Sequence, residues 1–140
     1  IGDVDEMESL ISEAASAWSA ANGGVAAPWL EEALTRTRWL RTCLVVSRAL
    51  DGALWRFRYL RHLSQMCTTD LDALRGIEED FNTIRENHRR LFEHAPGLRL
   101  SFYGGRECGD REFLRSPVPL MRDIHSNAVE CVERIVGPIR

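Results

Sequence analysis

Between Leu71 and Leu91 the apolar residues recur at a spacing that suits a helix and no other regular structure. Leu71, Leu74, Ile77, Phe81, Ile84, His88 and Leu91 follow one another at intervals of 3, 3, 4, 3, 4 and 3. Those intervals gather the side chains on one side of a helix, whereas a strand would scatter them over both faces. Thr69 and Asp72 offer a capping box at the start, with the shorter Asp in place of Glu, and Ala95-Pro96-Gly97 stops the pattern. A stripe this long has to be buried against something, and the rest of the chain offers helices to bury it.

From Asp3 to Asn22, Met7, Leu10, Ile11, Ala14, Trp18 and Ala21 recur at helical spacing, with Asp3 as the expected N-cap and Gly23-Gly24 as a left-handed stop. Pro28 begins a second helix, with Glu31 and Glu32 in its first turn, expected to run to about Leu50. Its inward arc is Trp39, Leu40, Cys43, Val46 and Leu50, and Asp51-Gly52 is a break or a weak point. Trp55-Arg56-Phe57-Arg58-Tyr59 alternates like a strand, but Leu60, Leu63 and Met66 restore a helical reading, so a helical hairpin is expected here. A last helix starts near Pro119, turns Leu120, Ile124, Ala128, Cys131 and Ile135 inward, and ends at Gly137-Pro138. Leu98, Leu100 and Phe102 alternate briefly, and the segment around Gly104-Gly105 reads as loop. The expected fold is all-α: one domain over 1–140, an antiparallel bundle of about five helices with one long irregular connection at about 95–117. The chain opens on Ile1 rather than Met, as a fragment or processed product would.

The charge is strongly segmented. Residues 1–33 carry −7, 34–67 carry +6, 68–95 carry −3 and the remainder +1, for a net charge of −3. All eighteen cations are arginine, and no lysine occurs. That excludes Schiff-base chemistry, a Walker-type phosphate loop and a kinase-type lysine. The bias follows a GC-rich composition, or else selection against lysine modification in a protein of viral or bacterial origin acting inside a host cell. The longest uncharged stretch, Ala14 to Leu30, is too rich in Ser, Ala, Asn and Gly to span a bilayer, and Pro28 interrupts it. Cys43, Cys67, Cys108 and Cys131 form no Cys-x-x-Cys pair, and no Asn-x-Ser/Thr acceptor occurs. We read them as reduced, mostly buried thiols of an intracellular chain.

Sites for chemistry do not assemble. His62 with Cys67, and Cys108 with His125 and Cys131, lack the paired short spacings of a zinc site, and Glu-x-x-His is missing. Cys108 lies in a Gly-rich loop between Arg106 and Arg111, a setting that can lower a thiol pKa, but no base is placed for it. Glu78, Glu79 and Asp80 are consecutive and so spread around a helix. Neither a catalytic set, a cofactor nor a metal is expected.

One local resemblance stands out. Leu74-Arg75-Gly76-Ile77-Glu78-Glu79-Asp80-Phe81-Asn82 resembles the death-promoting helix of the apoptosis-regulator family, with hydrophobes at matching intervals and an acid ahead of the last aromatic. It covers nine residues, departs from the pattern at Glu78 and at Asp70, and implies an amphipathic helix docking in a partner's groove.

What remains is a concentration of tryptophan and arginine, the residue types enriched at binding hot spots. Trp18, Trp29, Trp39 and Trp55 all precede residue 60, and the arginines are densest over the same stretch. Trp18 and Trp39 are expected to anchor the core, and Trp29 and Trp55 to lie at the surface. The expected binding surface is Trp29, Arg38, Arg41, Arg48, Trp55, Arg56, Arg58, Tyr59 and Arg61, completed by Tyr103 and Arg106. Its expected use is non-enzymatic protein contact or self-association, with RNA or DNA binding through the same arginines as the alternative. A further possibility is that the acidic first helix simply packs beside these arginines and neutralises them.

Overall fold

A computed structural model describes residues 1–93, 100–102, 106–108 and 117–139, with side chains for 1–87, 89–90 and 121–139. Among the described residues there are four helices: α1 (Gly2–Ala21), α2 (Pro28–Gln65), α3 (Leu71–Glu93) and α4 (Pro117–Val136). Two three-residue strands, β1 (Leu100–Phe102) and β2 (Arg106–Cys108), pair antiparallel with Ser101 opposite Glu107. The fold is all-α with this small hairpin set between α3 and α4. The segment expected to be one irregular connection therefore holds paired backbone, and its remaining residues lie outside the described ones.

The expected helical hairpin at 29–61 is not formed. One helix of 38 residues replaces two, so the described residues hold four helices where about five were expected. Asp51-Gly52 does not interrupt it, because a glycine ends a helix only by turning left-handed. Among the described residues the glycines that do so are Gly23, Gly24 and Gly137. Gly52 serves packing instead: a Cβ there would stand 3.0 Å from Arg56 Nη1 and 3.0 Å from Asp80 Oδ2.

The helix ends follow local chemistry. Gly23 (φ 66) and Gly24 (φ 84) close α1, and the Gly24 amide donates to Ser19 O at 2.8 Å. Gly137 (φ 81) closes α4 with its amide on Glu133 O. At the start of α3 the cap is Asp70, not Thr69: its Oδ1 accepts from the amides of Asp72 (3.0 Å) and Ala73 (3.3 Å). A carboxylate suits the positive end of the helix dipole better than a hydroxyl. Thr69 Oγ1 is left buried with no hydrogen-bond partner among the described residues. Asp3, the expected cap of α1, lies inside its first turn, and Ile1 precedes the helix without a side-chain cap.

The chain divides into two compact units, Ile1–Val45 and Val46–Arg140, with the boundary inside α2. The first has a thin core of Val4, Ala27, Leu30 and Leu34, joined by Thr37, whose hydroxyl donates to Ala33 O. The second has a fuller one: Val46, Leu50, Ala53 and Leu60 of α2, Leu74, Ile77 and Ile84 of α3, and Met121, Ile124, Ala128 and Val132 of α4. There α3 packs on α4. No described helix is long and apolar enough to cross a membrane.

Candidate interaction surface

In the first unit the arginines of α2 meet the acids of α1. Arg38 Nε donates to Glu8 Oε1 at 2.8 Å, and Arg41 Nε donates to Asp5 Oδ1 at 2.6 Å. Asp5 lifts the Arg41 guanidinium above its ordinary value, first through that hydrogen bond and then through its charge. These two predicted contact residues are thus engaged inside the unit, as mutual neutralisation of the charge blocks required. Trp29, in the first turn of α2, is 61% exposed and meets Trp18 edge-to-face at 5.9 Å. Trp18 does not anchor the core as expected. It is 42% exposed, because α1 turns Val4 inward and leaves Met7, Leu10 and Trp18 open.

In the second unit α2 has an inner and an outer side. Val46, Ala49, Leu50, Ala53 and Leu60 are buried. Arg48, Asp51, Trp55, Tyr59 and His62, at intervals of 3, 4, 4 and 3, are all exposed. Helical spacing places these five on one stripe. Arg58 lies beside it, its Cζ 5.9 Å from the centroid of the Trp55 ring, within cation–π range. Met66, just beyond the helix, extends the stripe and is also exposed. Arg61 is exposed on a flank of the same helix.

Arg56 departs from the expected surface. It turns toward α3 and pairs with Asp80, lying over Gly76, where an added Cβ would fall 2.7 Å from Arg56 Cδ. Burial lifts the Asp80 carboxyl above its ordinary value, and the Arg56 charge opposes that rise without cancelling it. Of the remaining predicted positions, Tyr103 lies outside the described residues. Arg106 is placed in β2 opposite Phe102, its side chain being outside the description. The structure therefore joins Arg48, Trp55 and Tyr59 on one outward stripe with Arg58 against Trp55 at its side, and turns Arg38, Arg41 and Arg56 to carboxylates of Glu8, Asp5 and Asp80.

A pairing between α3 and α4 was not foreseen from the sequence. His125 Nε2 lies 2.9 Å from Glu78 Oε1, beside a cavity of about 400 Å³ lined by Glu78, Phe81, Asn82, Arg122, His125 and Ser126. The two residues stand 47 apart, with no local spacing to announce them. Ser126 follows His125 directly on α4, so helical geometry points their side chains apart and gives no serine–histidine pair. Among the described residues no group of three or more His, Cys, Asp or Glu could hold a metal ion. Cys43, Cys67 and Cys131 are free thiols. Burial pushes the Cys43 thiol up to about 11, which leaves it protonated and unreactive near neutrality. Cys67 is exposed, against the expectation that the cysteines are mostly buried.

The chain matches no protein-family model, no curated protein and no solved structure.

Proposed function

We propose that this chain is a non-enzymatic helical interaction domain that works through contacts with protein. The observation that carries the reading is the outward stripe of α2, where Trp55 (61% exposed) and Tyr59 (47% exposed) stand between Arg48, Arg58 and His62. Large aromatic rings held in water beside guanidinium groups are the make-up of a binding hot spot, since they release apolar surface and form charged contacts in one step. The wide exposure of Met7, Leu10, Trp18 and Trp29 supports the same reading, because contiguous apolar surface of this kind marks contact sites.

Nucleic acid is the weaker reading. Arg38, Arg41 and Arg56 are already engaged with Glu8, Asp5 and Asp80, which thins the cationic surface available to phosphates. Size-exclusion chromatography with light scattering, read at 260 and 280 nm at low and moderate salt, tests the choice. The expected result is protein free of nucleic acid, with Trp55→Ala changing its elution or the emission of its tryptophans on assembly. Nucleic acid that co-purifies and is stripped by salt overturns the reading.

A further inference from the structure

The cavity between α3 and α4 plays no part in the proposed protein contact, and its lining points to a different use. Each helix lends it residues at the same one-turn spacing: Glu78, Phe81 and Asn82 on α3, and Arg122, His125 and Ser126 on α4. Glu78, Arg122 and His125 each follow a buried residue by one position, Ile77, Met121 and Ile124, so the cavity runs along the edge of the packed core. Beside it the His125 imidazole N–H donates to the Glu78 carboxylate at 2.9 Å, which turns the acid of the lining onto a partner. The other polar groups are uncommitted. Among the described residues the side chains of Asn82, Arg122 and Ser126 make no hydrogen bond or ion pair. All three can donate, and the guanidinium can only donate. Phe81 is half-buried and supplies an apolar wall. Arg85 lies against the same ring, its Cζ 5.5 Å from the centroid, and brings a second positive charge to it.

We infer that this cavity is a binding site for a small organic carboxylate with a flat apolar body. A carboxylate offers acceptors only, and it meets a guanidinium such as that of Arg122 through two parallel hydrogen bonds. The Asn82 amide and the Ser126 hydroxyl supply the further donors its oxygens can take, and the flat body lies against the Phe81 ring. The volume, about 400 Å³, falls within the roughly 300–1,000 Å³ of small-molecule sites and holds one ring with a short chain. Arg122 and Arg85 repel a cationic ligand, and Glu78 repels one with several negative charges.

Phenylacetate is the probe, titrated into the isotope-labelled full chain at constant ionic strength and followed by backbone amide shifts. Saturable shifts should gather on α3 and α4 around Phe81 and Arg122. Phenylacetamide, which keeps the ring and loses the charge, and phenethylamine, which reverses it, should each bind at least tenfold more weakly. Arg122→Gln should weaken phenylacetate at least tenfold and leave phenylacetamide unchanged. Arg134→Gln, farther along α4 and paired with Glu130, should alter neither. Both arginines are exposed, so the helical circular dichroism of each variant should match the parent. Shifts that scatter over the chain without saturating overturn the site. Equal binding of phenethylamine or of inorganic phosphate overturns the ligand class, and unchanged binding by Arg122→Gln overturns the part given to its guanidinium. None of these outcomes bears on protein contact, which rests on residues of α2 that do not line the cavity.

Discussion

Helices α1 and α3 are written in nearly the same pattern and meet opposite fates. Both carry large apolar residues at intervals of three and four over about twenty positions. In α3 the middle of the stripe is shut: Leu74 is 7% exposed, Ile77 0% and Ile84 1%, while Leu71 at its start stays exposed. In α1 the stripe is open: Met7 is 46% exposed and Leu10 58%. The difference lies in what each helix is given to pack on. The second unit packs α3 on α4, which buries Met121, Ile124 and Val132, and it buries Leu50 and Leu60 of α2 as well. The first unit supplies Leu30 and Leu34, and α1 turns toward its interior mostly small or polar residues such as Ala15, Ser12 and Ser19. Periodicity says which side chains share a face. It does not say that anything covers them.

The largest expected effect follows from that contrast. Ile77→Ala removes methyl groups from a closed core, and should cost about 2–5 kcal/mol in denaturant unfolding. Leu10→Ala truncates a side chain already in water, and should stay within about 0.5 kcal/mol for the unassembled chain. Equal costs would break the contrast, because they would mean that α1 is covered in the isolated molecule. A Leu10→Ala cost that appears only at concentrations where the chain associates would sharpen it, by locating the cover in a second copy.

The two units also handle arginine differently. Arg38 and Arg41 meet their acids at the exposed rim of the first unit, whereas Arg56 lies in a slot of the second, floored by Gly76 and bounded by Gly52. A methyl group at position 76 has nowhere to go without moving Arg56. Gly76→Ala should therefore destabilise by about 1–3 kcal/mol despite the better helix propensity of alanine. A net gain in the melting temperature would show that Arg56 moves aside freely and that the slot is not a constraint.

The same slot gives a pH dependence with a definite sign. Burial raises the Asp80 carboxyl above its ordinary 3.8, with Arg56 opposing. A carboxyl raised in the folded state favours folding most at pH below its unfolded value, and that contribution is lost as pH rises through the folded value. Arg56→Met removes the opposing charge, so the carboxyl climbs further and the loss deepens. The substitution should cost about 1 kcal/mol near pH 7, and less near pH 3, where Asp80 is protonated and needs no counter-charge. A cost independent of pH would mean that Arg56 stabilises through its alkyl stem alone.

These cases show where the sequence could be read and where it could not. Leu74, Ile77 and Ile84 of α3, Ile124 and Ala128 of α4, and the glycine stops at 23–24 and 137 are set by residues within a few positions of one another, and local spacing and backbone freedom reveal them; α4 also buries Met121 and Val132, outside the expected inward set, and leaves Cys131 and Ile135 half-buried. The continuity of α2 is different. Gly52 looks like punctuation until Arg56 and Asp80, 24 residues apart, are brought against it. The candidate surface divides in the same way. Exposure of Trp29 and Trp55 followed from their neighbours, a proline and two arginines. The engagement of Arg38 and Arg41 by α1 was foreshadowed by the opposite charge of the first two blocks, but the withdrawal of Arg56 and the Glu78–His125 pair depend on tertiary contacts over 24 and 47 residues, which no local pattern encodes.

The smallest expected effect compares the helix ends of the two units. α1 leaves its last turn through Gly23, but α2 leaves through Cys67 at φ 56, a left-handed backbone that a side chain disfavours. The hydrogen bonds explain why it is held there. Thr68 N donates to Leu63 O at 3.0 Å and Cys67 N to Ser64 O at 3.1 Å, the two bonds that satisfy the last carbonyls of a helix closed in this way. Those bonds need only backbone, so Cys67→Gly keeps them and removes the steric penalty. Part of that gain is offset because glycine also loosens the unfolded chain. The net should be a stabilisation of about 0.5–1 kcal/mol in denaturant unfolding. A loss of stability would mean that the exposed thiol of Cys67 makes a contact worth more than the strain it imposes.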